Sequence, residues 1–440
     1  MRDYFHALAD LLQTCLRGPE QYHCWFAGES TDFVRFNRSA IRQPGHVRQS
    51  SLKLELIEGQ RHVGAEFSLS GRLDADRALV MRMVEQLRGQ LPDLPDDPHL
   101  LLATEVHSTD HAQPSRLPTS HSIVDVVLQA AQGVDLVGIL AAGPVYRGFA
   151  NSLGQRNWHS SASFNLDWSL YQTRDKAVKS SYAGFEWSSA EFANKFALAT
   201  AQLEILKRAP VTVPPGGYRA YLTPTALNEM IGMLNWAGLS EKALRTKQSS
   251  LRRMRDEGLC FHPVVTLREN TAAGLAPGFQ AEGFIKPAEV ALIDGGKLAG
   301  SMISPRSARE YGIAANGANA DESAGSLDLA AGELPMSEVL AQLGSGIFVS
   351  NLWYLNFSDR ARCRLTGMTR FATFWVKDGE IQAPLNVMRF DDSLFRVLGE
   401  NLLGLTQERE LLIDNSSYGG RGTDSARMPG ALVKELMFVS

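Results

Sequence analysis

A segment rich in proline and glycine, APVTVPPGG at residues 209–217, constrains the fold of this chain most strongly. Proline lacks a backbone N–H and paired glycines are conformationally free, so the segment continues neither the helical pattern before it nor the strand pattern after it. The chain of 440 residues is also long for one core, because domains cluster near ~100–150 residues. We therefore predict an amino-terminal domain over 1–209 and a carboxy-terminal domain over 217–440.

The amino-terminal half mixes strand patterns with amphipathic helices. After an opening helix, apolar and polar residues alternate with a period of two, which is typical of half-buried antiparallel strands. The alternating runs are 22–26, 33–36, 52–56 and 63–67, with turns expected at 28–30 and 58–60. Further strands are predicted at 134–140, 145–152, 158–171 and 177–187, and helices at 74–91, 120–133 (with Ser120 as its cap) and 189–208. Strands and helices do not alternate strictly, and this favours an α+β fold over a doubly wound one.

Strand patterns dominate the carboxy-terminal half. They cover 218–222, 264–267, 290–293, 346–355, 370–376, 382–388 and 431–439, and short helices are predicted at 225–235 and 392–402. We expect a mostly antiparallel sheet that curves into a barrel-like domain, so that the whole chain is a two-domain α+β protein.

Charge and hydropathy exclude two classes of partner. The net charge of −4 and the pI near 6.2 provide no electrostatic footprint for a phosphate backbone, and the one basic cluster, at 242–255, is predicted to be a solvated helix face. No apolar run approaches the ~20 residues that span a bilayer, and the amino terminus lacks the apolar stretch of a signal peptide. We predict a cytoplasmic protein without direct nucleic-acid or membrane contact.

Metal-ligating side chains are sparse. The four cysteines, Cys15, Cys24, Cys260 and Cys363, lie far apart without a CxxC pair, so we expect reduced thiols that bind no metal. His107 and His111 have helical spacing, but their polar surroundings indicate a surface pair in a loop. The carboxy-terminal domain contains only His262, too few imidazoles for a catalytic zinc site. Phosphate-binding loops, nucleophile elbows and HExxH helices are missing from the sequence.

Several carboxy-terminal segments carry a family resemblance. They are GYRAYLTPTALNEMIG at 217–232, GFQAEG at 278–283, SPRSAREYG at 304–312, GIFVSN at 346–351 and WVKDGEI at 375–381, which is followed by Ala383 and Pro384. These segments resemble the TldD/PmbA family of metallopeptidase-related proteins, some of which have been named modulators of DNA gyrase. The resemblance covers most of residues 210–440 and the amino-terminal domain only in outline.

The resemblance also locates the positions of a metal motif. In the metal-binding branch of the family, the helix after the threonine-proline strand carries His-Glu-x-x-x-His, and a late cysteine completes the zinc site. The matching positions here are Asn228, Glu229 and Met233, and the matching tail at 416–429 contains no cysteine. An amide and a thioether do not bind zinc as imidazole or thiolate does, so we expect neither metal nor any other cofactor.

The resemblance therefore implies the PmbA (TldE)-like branch, which lacks the metal ligands. It implies a non-catalytic structural or regulatory subunit in peptide maturation or proteolysis, with a peptide as substrate. The expected partner is a TldD-like metallopeptidase subunit or a second copy of this chain, which gives a dimer.

Three alternatives remain open at the level of the sequence. One is an enzyme of different chemistry that uses a cleft between strands, with Glu229, Asp359, Arg360, Arg306 or Glu310. Another is a peptide-binding protein that adds a peptide strand to a sheet edge, for which the strand from Ile347 to Phe357 is either the groove wall or a buried core strand. The third is a regulator of DNA topology, against which the acidic pI argues.

Overall fold

The computed structural model describes residues 1–173, 176–417 and 419–439. The first seven strands form one sheet. They are β1 Gln21–Asn37, β2 Ala40–Glu58, β3 Arg61–Leu69, β4 Thr109–Ala112, β5 Asp135–Asn151, β6 Arg156–Thr173 and β7 Lys176–Gly184. Four helices accompany them, α1 Arg2–Cys15, α2 Leu73–Gln90, α3 Ser120–Ala130 and α4 Ser189–Ile205.

This first sheet has the order β3-β2-β1-β5-β6-β4, with β7 on the remaining length of β6. All of its pairs are antiparallel except β4 with β6. Helices α1 and α2 bury apolar residues against alternate leucines of β2, and α3 and α4 do so against alternate residues of β5 and β6. The period of two in the strands therefore supplies the apolar surface that these helices cover.

The turn predicted at 58–60 is present, but the turn predicted at 28–30 and the break predicted between 140 and 145 are wrong. Strand β1 runs through Gly28, which pairs with Ser50 on one side and Tyr146 on the other, so hydrogen bonds at both edges override the local turn preference. Strand β5 is likewise continuous where two strands were predicted. Its Gly143 has φ of +143°, and a Cβ there would lie 2.2 Å from the carbonyl oxygen of Ser30, so only glycine fits.

Eleven strands and five helices follow in the described part of the chain. The strands are β8 Gly216–Leu222, β9 Leu267–Glu269, β10 Val290–Asp294, β11 Lys297–Leu298, β12 Ser326–Leu329, β13 Gly346–Asp359, β14 Arg364–Lys377, β15 Glu380–Pro384, β16 Arg389–Ser393, β17 Leu402–Ile413 and β18 Ser425–Val439. The helices are α5 Pro224–Gly232, α6 Glu241–Arg245, α7 Arg252–Asp256, α8 Pro305–Tyr311 and α9 Val339–Leu343.

The second sheet curves until it closes on itself. Strand β8 pairs with β13 at one edge and with β18 at the other, and β13, β14, β16 and β18 pair in turn, so five strands form a ring. Among the described strands of this sheet, only the β8–β13 and β12–β18 pairs are parallel. The predicted α+β fold with a mostly antiparallel, curved carboxy-terminal sheet is confirmed. The domain limits at 209 and 217 remain a prediction.

Several local predictions for this half need correction. The helix predicted over 392–402 is shorter, since β16 extends to Ser393 and the helical residues are 394–400, with a π-helical turn at Arg396–Glu400. The strand predicted at 264–267 begins only at Leu267. In the amino-terminal half, the cap of α3 is Thr119 rather than Ser120. Among the described residues, none of the helices has both the length and the apolar character that crossing a bilayer requires.

Candidate functional site

A cleft of about 490 Å³ opens between the two sheets. Strands β6 and β7 form one wall, and α5, β13, β14 and the end of β17 form the other. The segment between β17 and β18 contributes residues 414, 415 and 424. Both halves of the chain therefore supply side chains to a single concave site, a common location for ligand binding.

Helix α5 brings the predicted motif to this cleft. Its cap is Thr223, whose hydroxyl accepts a hydrogen bond from the N–H of Ala226 at 3.2 Å and donates one to the carbonyl oxygen of Ser350 at 2.6 Å. Pro224 occupies the first turn, where its missing N–H costs nothing. The start of the helix is thus fixed to β13.

The two faces of α5 have different environments. One face is buried in the apolar core of the second sheet and consists of Ala226, Leu227, Met230 and Ile231. The other face, at helical spacing, consists of Thr225, Asn228, Glu229 and Gly232 and lines the cleft. Beyond Gly232 the helix tightens into a 3₁₀ turn, in which Met233 is 5% exposed and packs in the core. The structure therefore brings Asn228 and Glu229 to the cleft and leaves Met233 out of it.

Glu229 is the one carboxylate that α5 contributes to the cleft. Its side chain stays open to the cleft solvent and has no hydrogen-bond partner in the described part of the chain. Partial burial between the walls raises the pKa of Glu229, and the positive charge of Lys179 only partly offsets this effect. Lys179 is itself paired with Asp167 at 3.1 Å, and Asp167 also accepts a hydrogen bond from Asn415 at 2.7 Å.

A stacked arginine lies on the wall formed by β13 and β14. The Cζ atom of Arg370 is 3.8 Å from the ring centroid of Trp353 and 4.9 Å from that of Phe371. All three residues line the cleft. Phe371 has φ of 59° at a break in the strand register, a conformation that is unusual for an aromatic residue.

Acidic residues lie at the end of β17 and the start of β18. Asp424 lines the cleft, and burial together with the charge of Asp414 raises its pKa, against the opposing effects of Lys286 and Arg147. Glu229 and Asp424 therefore both have raised pKa values within one cleft, a feature that is more frequent at functional sites than elsewhere.

The tail segment that matches the family's cysteine region anchors itself with an arginine. Arg421 donates hydrogen bonds to the carbonyl oxygen of Gly143 at 2.9 Å and to Oγ of Ser163 at 2.7 Å. Its backbone N–H donates to Glu29, which is also buried. Burial lowers the pKa of the Arg421 guanidinium to about 10, although the charge of Glu29 opposes this shift. This contact joins the carboxy-terminal tail to the first sheet.

The other candidate residues do not converge on the cleft. Asp359, Arg360, Arg306 and Glu310 are not among its lining residues, so of that set only Glu229 is placed there. Asp359 caps a 3₁₀ turn and Arg360 lies over the ring of Phe357 at 4.6 Å.

The histidine pair predicted in a loop is divided between two environments. His111 lies in the short strand β4 and stacks on His159 of β6, with ring centroids 5.2 Å apart. His107 is exposed and pairs with Glu105 at 3.0 Å. Both histidines are exposed as expected, but His111 lies in a strand rather than in a loop, and each imidazole has its own contact.

The residues at the family's metal positions do not fit a zinc ion. Asn228 offers a neutral amide, and Met233 turns a thioether into the core. Across the described ranges, no three side chains of His, Cys, Asp or Glu come together in an arrangement that could hold a metal. Zinc sites require three or four such donors.

Most of the residues that line the cleft could not be predicted from the sequence. Asp167, Lys179, Trp353 and Arg370 come from four strands and Asp424 from the segment before β18, and no fixed spacing links them. The only available signal was the aromatic strand from Ile347 to Phe357, part of which lines the cleft through residues 351–353.

Three solved structures share this architecture over nearly the whole chain. TldE from Thermococcus kodakarensis matches with a TM-score of 0.79 at 12% identity, over 99% of this chain and 100% of that one. A candidate modulator of a DNA gyrase from Thermotoga maritima matches with a TM-score of 0.75 at 12% identity, over 99% of each chain. Another from Bacteroides thetaiotaomicron matches with a TM-score of 0.76 at 14% identity, over 100% of this chain and 98% of that one.

Sequence comparison is consistent with the shared fold. A comparison with curated protein sequences found no match. Residues 215–440, just over half of the chain, match the family described as the PmbA/TldA metallopeptidase C-terminal domain. Because this match extends over more than half of the chain and includes α5 and most of the cleft wall, the chain belongs to the TldD/PmbA family.

Proposed function

We propose that this chain is a metal-free, peptide-binding subunit of a TldD/PmbA-type peptidase system. The observation that carries the proposal is the cleft face of α5, which presents Asn228 and Glu229 while Met233 packs in the core. A glutamate serves as general base in such a site only next to a metal-bound water of lowered pKa. The hydrolytic metal then belongs to another subunit.

The likeness to TldE from Thermococcus kodakarensis supports this assignment at the level of the fold. On this proposal the chain acts as the TldE-like partner of a TldD-like metallopeptidase in peptide maturation or proteolysis. A homodimer is the expected state of the chain in isolation. Size-exclusion chromatography with light scattering measures that state directly, and a monomer throughout the micromolar range would contradict it.

Strand β13 provides a way to hold an extended peptide. Its edge pairs with β8 only over Ile347 to Val349, and from Asn351 onward no described strand pairs with that edge. The unpaired backbone groups border the cleft, since residues 351–353 line it. A peptide that adds a strand here would form main-chain hydrogen bonds without any metal.

The catalytic part of the proposal is tested with purified proteins. The chain is purified alone and with the TldD-like subunit that co-elutes from its host, and hydrolysis of an unfolded peptide is measured with and without chelator. We expect chelator-sensitive hydrolysis from the pair only. With a saturating peptide that has no acidic side chain, the variant Glu229→Gln of this chain should leave kcat of the pair unchanged, whereas the corresponding change in the partner's own motif should abolish the activity. Chelator-sensitive hydrolysis by the chain alone would contradict the proposal.

The binding part is tested with a labelled extended peptide. In an added strand, only every second backbone N–H of the peptide faces the neighbouring strand. Methylation of those peptide nitrogens removes the hydrogen-bond donors, whereas methylation of the intervening nitrogens leaves the donors in place. We expect one methylation pattern to weaken binding at least tenfold and the other to leave it nearly unchanged. Equal effects of the two patterns would exclude strand addition.

A second candidate function follows from the two carboxyl groups with raised pKa values in the cleft, Glu229 and Asp424. Such groups suit general acid-base chemistry at neutral pH, which favours a hydrolase of unrecognised type. In that case, hydrolysis resists chelator and is lost in both Glu229→Gln and Asp424→Asn.

For nucleic acids we propose no direct contact, although two of the solved relatives are described as candidate DNA gyrase modulators. The net charge of −4 gives little attraction for a polyanion. Salt-dependent retention on immobilised DNA at low ionic strength would contradict this part of the proposal.

A further inference from the structure

Arg370 differs from Lys179, the other cation that lines the cleft, in having no acidic partner among the described residues. Within the described residues, its guanidinium forms neither an ion pair nor a hydrogen bond. The other lining cation, Lys179, is neutralised by Asp167 at 3.1 Å. Arg370 therefore presents unused N–H donors to the cleft, and a guanidinium carries five of them in a rigid fork.

The strand register explains how the guanidinium is held. Arg370 of β14 lies opposite Asn351 of β13, and Trp353 lies two residues further along the same face of β13. Diagonal neighbours of this kind are within reach of long and aromatic side chains. Stacking on the rings of Trp353 and Phe371 fixes the plane of the guanidinium and leaves its N–H edges free.

The local backbone adopts an uncommon conformation to provide this arrangement. Phe371 takes φ of 59° where the register between β13 and β14 shifts, and its ring then lies beside the guanidinium of the preceding residue. Non-glycine residues in the left-handed region cluster at binding and active sites. Trp353 remains 49% exposed, so one ring of the stack is also available to a ligand.

We propose that Arg370 binds a peptide carboxylate in this cleft, with the carboxylate held by paired N–H donors and the adjacent residue of the peptide placed against Trp353. This inference rests on the proposed function, because it assigns a chemical class to the peptide that the cleft receives. Planar, bidentate recognition of carboxylates is the role for which arginine is best suited. The carboxylate comes either from the carboxy terminus of the peptide or from an Asp or Glu side chain.

Acidic residues elsewhere in the lining of the cleft make the site selective. Asp414, Asp424 and Glu229 line the same cleft and repel a second anionic group. A peptide with one carboxylate near Arg370 and a neutral or basic continuation toward these acids complements the charge pattern. A peptide with several acidic residues does not.

The experiment measures binding of four labelled peptides by fluorescence anisotropy. Their common sequence ends in a free carboxylate or an amide and carries either Glu or Gln at one internal position, so the two sources of carboxylate are separated. Arg370→Gln should weaken binding of the recognised carboxylate peptide roughly 10- to 100-fold, which corresponds to the loss of charge-assisted hydrogen bonds. The same variant should leave the affinity for the peptide that has an amidated terminus and an internal Gln unchanged. Arg370→Lys should restore only part of the affinity, and Arg362→Gln, at an exposed arginine outside the cleft, serves as control.

A second measurement separates this inference from the proposed function. N-acetylglycine and N-acetylglycinamide carry the carboxylate or its amide without a peptide, and the Nε–H resonance of Arg370 reports their binding. If N-acetylglycine alone shifts this resonance and no peptide binds, the carboxylate site stands and the peptide-binding function fails. If peptides bind but Arg370→Gln weakens acidic and neutral peptides equally, or weakens neither, the assignment of Arg370 is overturned.

Discussion

Nη2 of Arg421 lies 2.7 Å from Oγ of Ser163, so a side chain of the carboxy-terminal tail is hydrogen-bonded inside the first sheet. The tail segment is the one that carries a cysteine in the metal-binding branch of the family. In this chain the same segment provides a buried cation that joins the two sheets. The segment thus contributes to the structure through Arg421.

Replacing Arg421 should destabilise the protein strongly. In Arg421→Gln, the shorter side chain lengthens or loses the hydrogen bonds to Gly143 and Ser163, and the buried carboxylate of Glu29 loses a nearby positive charge. We expect the free energy of unfolding to fall by about 2–4 kcal/mol, as for other broken buried charge networks. Urea denaturation followed by tryptophan fluorescence measures the change.

The matched control for that prediction is Arg17→Gln. Arg17 forms an exposed ion pair with Glu85 at 2.6 Å, and both side chains are more than half exposed. Exposed pairs contribute about 0.2–1 kcal/mol, so the control should change stability little. Similar losses in the two variants would show that Arg421 does not act as a buried anchor.

The stacked pair of His111 and His159 predicts a pH dependence of stability. His159 is 6% exposed, and its Nε2 has no hydrogen-bond partner in the described part of the structure. Burial, together with the neighbouring charges of His111 and Arg147, lowers the pKa of His159 to about 4. Because the unfolded state binds a proton near pH 6.5 and the folded state resists it, stability falls as the pH decreases from about 6.5 to 4.

The variant His159→Gln should remove this contribution. Relative to its own value at pH 7, the wild-type protein should lose about 2 kcal/mol more than the variant at pH 4.5, as the linkage between pKa and stability requires. Denaturant unfolding at both pH values measures the difference. His121→Gln, at an exposed histidine, should follow the wild type. Parallel curves for wild type and His159→Gln would contradict the prediction.

The four cysteines should differ in reactivity. All are free thiols in the structure, and only Cys260 is exposed, while burial raises the pKa of Cys24 and Cys363 to about 12 each. Since the thiolate is the reactive form, a disulfide reagent should modify Cys260 first and Cys15 more slowly. Four thiols should react after denaturation without reductant. The variant Cys260→Ser should lose the fast phase, and a fast phase that persists would contradict the assignment.

The sequence predicted which helices and strands are present better than it predicted the residues at which they begin and end. Helices α2 and α4 and most strands of both sheets were found because their apolar periodicity is set by burial on one face. The turn expected around Gly28 was wrong because that residue is paired on both edges, a tertiary effect that local residue preference does not contain.

The candidate site was predictable only where a linear motif exists. Asn228 and Glu229 were located through their position after the threonine-proline strand, and both line the cleft. Helical spacing places residue 233 near residue 229, but the helix tightens after Gly232 and Met233 turns into the core. Arg370 and Trp353 meet through strand register across a hairpin with bulges, which the sequence does not specify.

The last prediction concerns the metal. We expect no stoichiometric zinc after dialysis, and we expect the double variant Asn228→His, Met233→His to remain without a tight site. The imidazole at 228 would face the cleft, whereas the one at 233 would replace a core thioether that is 5% exposed. The tail at 416–429 supplies no cysteine as a third ligand. Two side chains on different sides of the helix cannot provide the ordered donors that zinc needs.

Elemental analysis and chelator competition test both halves of this prediction. The single variant Met233→His should lower the free energy of unfolding by about 1–3 kcal/mol, because it buries an imidazole without a partner. The single variant Asn228→His, which changes a residue of the cleft wall, should lower it much less, and this contrast separates core packing from metal binding. About one zinc per wild-type chain, retained through dialysis and released by chelator, would show that the chain has a metal site built from other residues. Tight zinc binding by the double variant alone would show that the core around residue 233 rearranges to complete the site.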